Sequence, residues 1–313
     1  LLEYLYFAGD DRFGALGVSL SAEEYRPRRL GPLPTLRDTE QIHELIRKVQ
    51  ANEPVPAALR RLVSPGATMG GVKPKSLIEI DGAQWVVKFA DGEPADTPLI
   101  EHAAMTLAAT AGIRVAPTRP LRLVAGHAVA VQRFDRTGDG GRAHVLSAHV
   151  ALRAAGEPYG YPELAQLLRR RGVNDGDGYV AEMRELFRRM VFNILIDNTD
   201  DHEKNHAVIL TAAQRYTLAP AFDVLPSGQA LGFQQMRVGE AEADSTLDNA
   251  LSQSRLFALD RDEAVAEIRT VARAVARWQE HFASAGVTAG DIALYAEHID
   301  RPFLRDQRAA FVR

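Results

Sequence analysis

An unbroken polar run, Asp197-Asn198-Thr199-Asp200-Asp201-His202-Glu203-Lys204-Asn205, separates an apolar helical pattern ending at Ile196 from a strand-like run starting at His206. Such a run cannot serve as core, because ionised groups are rarely buried without partners. The chain must therefore fold so that a helix delivers a charged loop and a strand carries the chain away from it. A further strand-like run then ends in Ala221-Phe222-Asp223.

Taken alone, the run is also what an acidic loop with helix-capping residues looks like. Phosphoryl transfer accounts for more of it. That reaction needs a carboxylate beside the attacking hydroxyl, and an Asn and a second Asp to hold Mg²⁺ on the nucleotide phosphates. In protein kinases the catalytic Asp precedes the metal-binding Asn by five positions. Asp200 and Asn205 keep that spacing, and Asp223 falls where the second metal ligand is expected. Lys204 adjoins Asn205 and can reach the transferring phosphate. Asp201 reads as a loop residue rather than a ligand. His202 reads more readily as a side chain that packs and fixes the loop than as a metal ligand.

Upstream, Leu77 to Ile80 and Trp85 to Phe89 flank Asp81-Gly82, a strong hairpin signal. Lys88 lies on the second strand, where a lysine can contact α- and β-phosphates; alone, it is equally a surface lysine on an edge strand. Its acidic partner is expected to be Glu101, opening a helix over 99–111. Gly66 to Ser76 contains Gly70, Gly71, Lys73 and Lys75. Exposed N–H groups there can cradle phosphate, yet the loop is neither G-x-G-x-x-G nor a Walker sequence, and by itself reads as a plain turn. A second hairpin covers 121–134. It leads to a joint at Val131 to Asp135, where the backbone at Gln132 and Phe134 can serve an adenine ring, or simply end a strand. Helices are expected over 37–50, 161–171, 179–196 and 261–285, and a last hairpin over 206–219.

The 313 residues are 46% hydrophobic and 25% charged, enough for a sizeable core in one large domain or two lobes. A formal net charge of −4 gives no reason to expect nucleic acid as a direct partner. The absence of cysteine excludes disulfides and thiolate metal sites. No apolar run approaches the roughly 20 residues that span a bilayer, and the start lacks a signal-peptide layout. A soluble, cytoplasmic protein with no membrane partner is expected.

With these pieces in this order, the chain resembles the HipA family of bacterial serine/threonine kinases, the toxins of HipBA toxin–antitoxin pairs. The resemblance rests on 8–16, Gly70 to Lys75, Val87 to Phe89, Glu101-His102, Gln132 to Arg136, Thr199 to Asn205 and Ala221 to Asp223. It implies an α+β, two-lobed protein-kinase-like fold, with a smaller mixed α/β N-lobe over 1–131 and a mostly helical C-lobe over 132–313. Asp200 would be the catalytic base, Asn205 and Asp223 the Mg²⁺ ligands, and Lys88 the ATP-phosphate lysine. The backbone at Gln132 and Phe134 would form the adenine hinge. Thr68 lies where the family carries an autophosphorylated serine. Gln132 in place of Glu, Asp201 in place of a common Gly, and Thr68 in place of Ser depart from the pattern. Many members also carry roughly a hundred residues before the Ala8-Gly9-Asp10-Asp11-Arg12 stretch, so such a segment is expected to be truncated here or supplied by a separate small protein.

The expected activity is transfer of the ATP γ-phosphate, with Mg²⁺, to Ser or Thr of a protein; the family's targets include an aminoacyl-tRNA synthetase. The expected partner is a HipB-like helix-turn-helix antitoxin, with DNA reached only through it. Two rivals stand beside this reading: a small-molecule or lipid kinase using the same groups, and a catalytically silent module of a DNA-binding repressor complex.

Overall fold

Alternation of apolar and polar residues builds the first sheet. The computed structural model describes residues 2–7, 9–29, 31–56, 59, 62 and 73–312. The chain divides into two units: Leu1–Leu99 with Pro117–Val145, and Ile100–Ala116 with Leu146–Arg313. Thr68, Gly70 and Gly71 lie outside the described residues.

The first unit holds α1 (Leu2–Phe7), α2 (Thr39–Gln50), β1 (Lys75–Ile80), β2 (Ala83–Phe89), β3 (Thr118–Arg122) and β4 (His127–Gln132). The sheet order is β1-β2-β4-β3, every neighbouring pair antiparallel. The β1–β2 turn places Asp81 at φ 53° and Gly82 at φ 78°. Two successive positive φ values are what a two-residue hairpin of this twist demands, and Asp-Gly supplies them. On β2, Trp85, Val87 and Phe89 are buried against Ile42, Leu45 and Ile46 of α2, while Gln84, Val86 and Lys88 alternate to the other face. The α2 helix starts at Thr39 rather than Arg37, behind a short 3-10 turn over Leu36–Asp38. Val49 shares the apolar spacing of α2 but lies in its last turn and stays 53% exposed.

Beyond β4 the chain makes a buried ionic knot. The fully buried Asp135 accepts from Arg133 Nε and Nη2 (2.9 and 2.7 Å), Arg136 Nη1 (2.8 Å) and Gly14 N (2.7 Å). The same arginines donate to the carbonyls of Asp11, Arg12 and Gly14. Burial alone would push the Asp135 carboxyl up, but the Arg133 bonds and charge, with Arg136 and the Gly14 N–H, outweigh it and hold it low. Phe13 meets Phe134 edge-to-face at 5.4 Å. The Asp11 to Gly14 stretch is thereby fastened through its main chain.

The second unit takes most of α3 (Thr97–Thr110), then α4 (Ala148–Ala155), α5 (Tyr161–Arg171), α6 (Gly178–Leu195), α7 (Leu247–Ser252), α8 (Arg261–Val275), α9 (Trp278–Ser284), α10 (Ala289–Ile299) and α11 (Pro302–Val312). A second sheet has the order β5 (His144–Ser147), β6 (Ala207–Leu210), β7 (Tyr216–Leu218), with β6 and β7 antiparallel. Met183, Leu186, Phe187, Met190, Val191 and Ile194 recur at three- and four-residue spacing and bury one side of α6. The helix packs on α5 and α8, and α11 packs on α8. The single helix expected over 261–285 is two: Ala276 and Arg277 form a turn between α8 and α9. No Gly or Pro marks the break. It lets Trp278 sink to 1% exposure against Phe282, with its Nε1 bound to Asp300 at 3.1 Å. One unit is mixed and sheet-bearing and the other mostly helical, an α+β arrangement in two lobes. Among the described residues no helix is long and apolar enough to cross a membrane.

Candidate active site

The polar run begins where α6 stops, and the stop is specific. Asp197 takes φ 59°, Asn198 N donates to Asn193 O (2.9 Å), and Asp197 N approaches Ile194 O (3.4 Å). This pair of bonds closes the helix through one left-handed residue, a position Gly usually fills and Asp tolerates. The Asp197 carboxyl accepts from Arg301 (3.0 Å) and Ala230 N (3.2 Å), although its burial pushes it up from the ordinary range.

The loop is then held by its carbonyls. Helix α4 begins with N–H groups that have no intrahelical acceptor. Ala148 N donates to His206 O (2.8 Å) and His149 N to Glu203 O (3.1 Å). Glu203 also binds the His149 ring at 2.8 Å, and that contact holds its carboxyl low against the upward push of burial. Asn205 N closes a turn onto His202 O (2.9 Å). Asp200 and Lys204 are left exposed; Asn205 is half-buried. His202 is half-buried within the loop.

Asp201 is not a loosely placed loop residue. It is 2% exposed, and one of its oxygens, Oδ2, takes both the Tyr161 hydroxyl and His206 Nε2 (2.7 Å). Asn193 Nδ2 donates to the Tyr161 oxygen (3.2 Å), and Asn198 Nδ2 to Asn193 Oδ1 (3.1 Å). Burial next to Asp201 pushes the Tyr161 hydroxyl far up, so it stays a donor. Tyr161 opens α5 after Gly160, where an added Cβ would come within 3.0 Å of the Arg237 Cβ.

Asp223 is reached by a segment gripped on both sides. Ala221 N donates to Arg114 O and Ala116 N to Ala221 O, both at 2.8 Å. Buried Arg189 donates to Ala219 O (2.8 Å) and to Glu185 (Nε, 3.0 Å). Asp223 follows at φ 60°, half-buried. Asn193, Asp201, Asn205, His206, Ala221 and Phe222 line one small cavity, so the residues flanking Asp200, Asn205 and Asp223 converge there.

Glu101, on α3 in this second unit, is 4% exposed. In the first unit, Lys88 stands half-buried on the sheet face turned away from the α2 cluster, in register with Lys75 and Val129. Lys75 and Lys88 are therefore cross-strand neighbours on that face. The sequence placed Lys75 in the glycine-containing loop as added charge; the structure places it on β1, opposite Lys88. Lys73 is exposed and paired to Glu93 (2.9 Å). The Gln132 N–H donates to Pro117 O (2.9 Å) and the Arg133 N–H to Gln84 O (3.0 Å), so any adenine contact of Gln132 would not use its N–H.

Among the described residues no group of three His, Asp or Glu side chains is placed to cage a metal. Asn205 and Asp223 are oxygen donors few in number, which fits Mg²⁺, an ion that keeps waters and shares phosphate oxygens instead of demanding a full protein cage.

This is the architecture of a kinase-like fold with a charged loop between helix and strand, and it defines the class. Residues 67–278 match the HipA-like C-terminal domain, and the chain belongs to that family. Two proteins of Sinorhizobium fredii (strain NBRC 101917 / NGR234) are similar in sequence. Putative kinase Y4dM is 31% identical over 157 residues, covering 46% of this chain and 37% of that protein. Putative kinase Y4mE is 27% identical over 239 residues, covering 69% of this chain and 55% of that protein. The matched region thus spans well under two thirds of either relative. Among solved structures, HipA of the Shewanella oneidensis MR-1 toxin–antitoxin system, in complex with HipB and operator DNA, superposes with a TM-score of 0.62 at 18% identity, over 86% of this chain and 70% of that one. The Helicobacter pylori proinflammatory kinase CtkA gives 0.57 at 12% identity, over 78% and 94%. At these identities the likeness concerns the fold.

Proposed function

We propose that the chain is an ATP- and Mg²⁺-dependent kinase that phosphorylates Ser or Thr of a protein, as the toxin of a HipA–HipB-type pair. The observation that carries this is the anchored loop. It leaves Asp200 exposed and places Asn205 in the lining of a cavity shared with Phe222, while Arg114 and Ala116 fix the segment leading into Asp223 through its main chain.

In this reading Asp200 orients the acceptor hydroxyl and takes its proton as the oxygen attacks the γ-phosphorus. The bond from the γ-phosphorus to the bridging oxygen breaks, and ADP carries that oxygen away. Asn205 and Asp223 would hold Mg²⁺, which when bound would supply positive charge to offset that of the phosphate oxygens. Lys204 lies beside the transferring group. Lys88 serves the other phosphates, Lys73 adds positive charge near them, and the backbone at Gln132 and Phe134 meets the base. Thr68 is the residue whose phosphorylation would silence the loop. A translation component such as an aminoacyl-tRNA synthetase is the proposed target, a helix-turn-helix antitoxin the proposed partner, and the cytoplasm the proposed place.

The test is transfer of radiolabelled γ-phosphate from ATP·Mg²⁺ by the chain, alone and with cell extract, beside Asp200→Ala. Label on the chain itself or on one extract protein should fall about 10²–10⁴-fold in the variant, the span expected for losing a general base. Equal labelling by both proteins, or no ATP binding, would sink the proposal. Label on metabolites alone would move the acceptor to small molecules.

A further inference from the structure

The residue after the proposed base and the residue after the proposed metal ligand close on each other through a single atom. Asp201 follows Asp200, His206 follows Asn205, and His206 Nε2 binds Asp201 Oδ2 at 2.7 Å. The segment from Asp201 to His206 is therefore a ring shut at its base, with Asn205 inside it and Asp200 at its threshold. The ring is bolted to the helices by a third group, the Tyr161 hydroxyl, which donates to the same oxygen and itself accepts from Asn193 of α6. Tyr161 is fixed in turn by its own N–H, bound to Arg237 O at 3.0 Å.

From this geometry we infer that Asp201 is a positioning residue: it sets the separation and orientation of Asp200 and Asn205 without touching substrate. The inference rests on the kinase reading above and deepens it. Both donors on Oδ2, the Tyr161 hydroxyl and His206 Nε2, are directional, so the geometry of the two bonds fixes where the carboxylate sits. The neutral isostere preserves that geometry: the amide oxygen of Asn can stand in the place of Oδ2 and receive both donors, whereas Ala removes the acceptor.

The experiment has two arms on the full chain, with Asp201→Ala and Asp201→Asn. In the first, amide hydrogen exchange is followed by mass spectrometry over 200–206 and at Ala148 and His149, whose partners are loop carbonyls. In the second, phosphoryl transfer is measured as kcat and ATP KM on protein shown to be folded. The expected result for Asp201→Ala is faster exchange confined to those peptides. Its kcat should fall about 100-fold, as misplaced catalytic groups cost, with ATP KM changed less than about threefold. Asp201→Asn should recover kcat to within about tenfold of wild type. Unchanged exchange in Asp201→Ala overturns the inference. So does faster exchange with unchanged kcat, and so does an Asp201→Asn as slow as Asp201→Ala. A wild-type chain that transfers no phosphate overturns the kinase reading instead, and the positioning role falls with it.

Discussion

Asp135 and Asp201 are both carboxylates with almost no exposed surface, one at 0% and the other at 2%, yet they are satisfied by opposite means. Asp135 collects guanidinium groups and a backbone N–H. Asp201 collects a phenol and an imidazole. The first arrangement is dominated by charge and pins a stretch of irregular main chain, residues 10–14, whose carbonyls need donors. The second is directional and pins a loop whose side chains must stand at set places. Glu182 completes the series as a half-buried carboxylate whose burial outweighs its partners, the Leu218 N–H and Arg114. Arg114 is 4.0 Å away, one of its oxygens finds no partner, and burial pushes it up to about 7.

The largest effect should come from breaking the ionic knot. Asp135→Leu leaves Arg133 and Arg136 buried without their counter-charge and should cost about 3–5 kcal/mol. Urea unfolding would measure this, and limited proteolysis should open residues 9–16 first. A loss under about 1 kcal/mol would mean the arginines find other acceptors at no cost.

Glu182 tests the undercompensated case. Its folded-state value lies above the ordinary carboxylate value near 4.5, so the folded state keeps this proton longer than the unfolded one. Its favourable contribution is therefore present below about 4.5 and lost as pH rises through about 7. Glu182→Gln should flatten the fall in stability over that window and leave the variant more stable above it, by on the order of 2–3 kcal/mol. Thermal unfolding midpoints at a series of pH values decide it; parallel curves for the two proteins would refute it.

The smallest effect sharpens the directional case. Tyr161→Phe removes one donor from Asp201 while keeping the ring, and should cost about 1–2 kcal/mol in denaturant unfolding. A loss near zero would show that His206 alone satisfies the carboxylate.

How far the sequence reached follows the same division. The Asp81-Gly82 hairpin and the spans of α5 and α6 were legible because turn chemistry and helical period are local. The break at Ala276-Arg277 was not, since only the tertiary burial of Trp278 enforces it. Within the candidate site, Asp200, Asn205 and Asp223 stood out by spacing. Tyr161 and His206 did not, because their partnership with Asp201 joins an α5 terminus to the end of the loop across 40 positions of chain. The burial of Asp201 escaped for the same reason. Nothing in a polar run says which of its members turns inward.

The grip on the segment before Asp223 has a consequence for how this chain can drift over generations. Arg114 and Ala116 hold Ala221 by main-chain groups, so they place no demand on side-chain chemistry at 116 or 221 beyond size, both positions being nearly closed to solvent. Substitution there should wander among Ala, Gly and Ser while avoiding proline, which lacks the N–H that each position contributes. Similarity scores would then read as variable the very stretch whose backbone is most tightly prescribed.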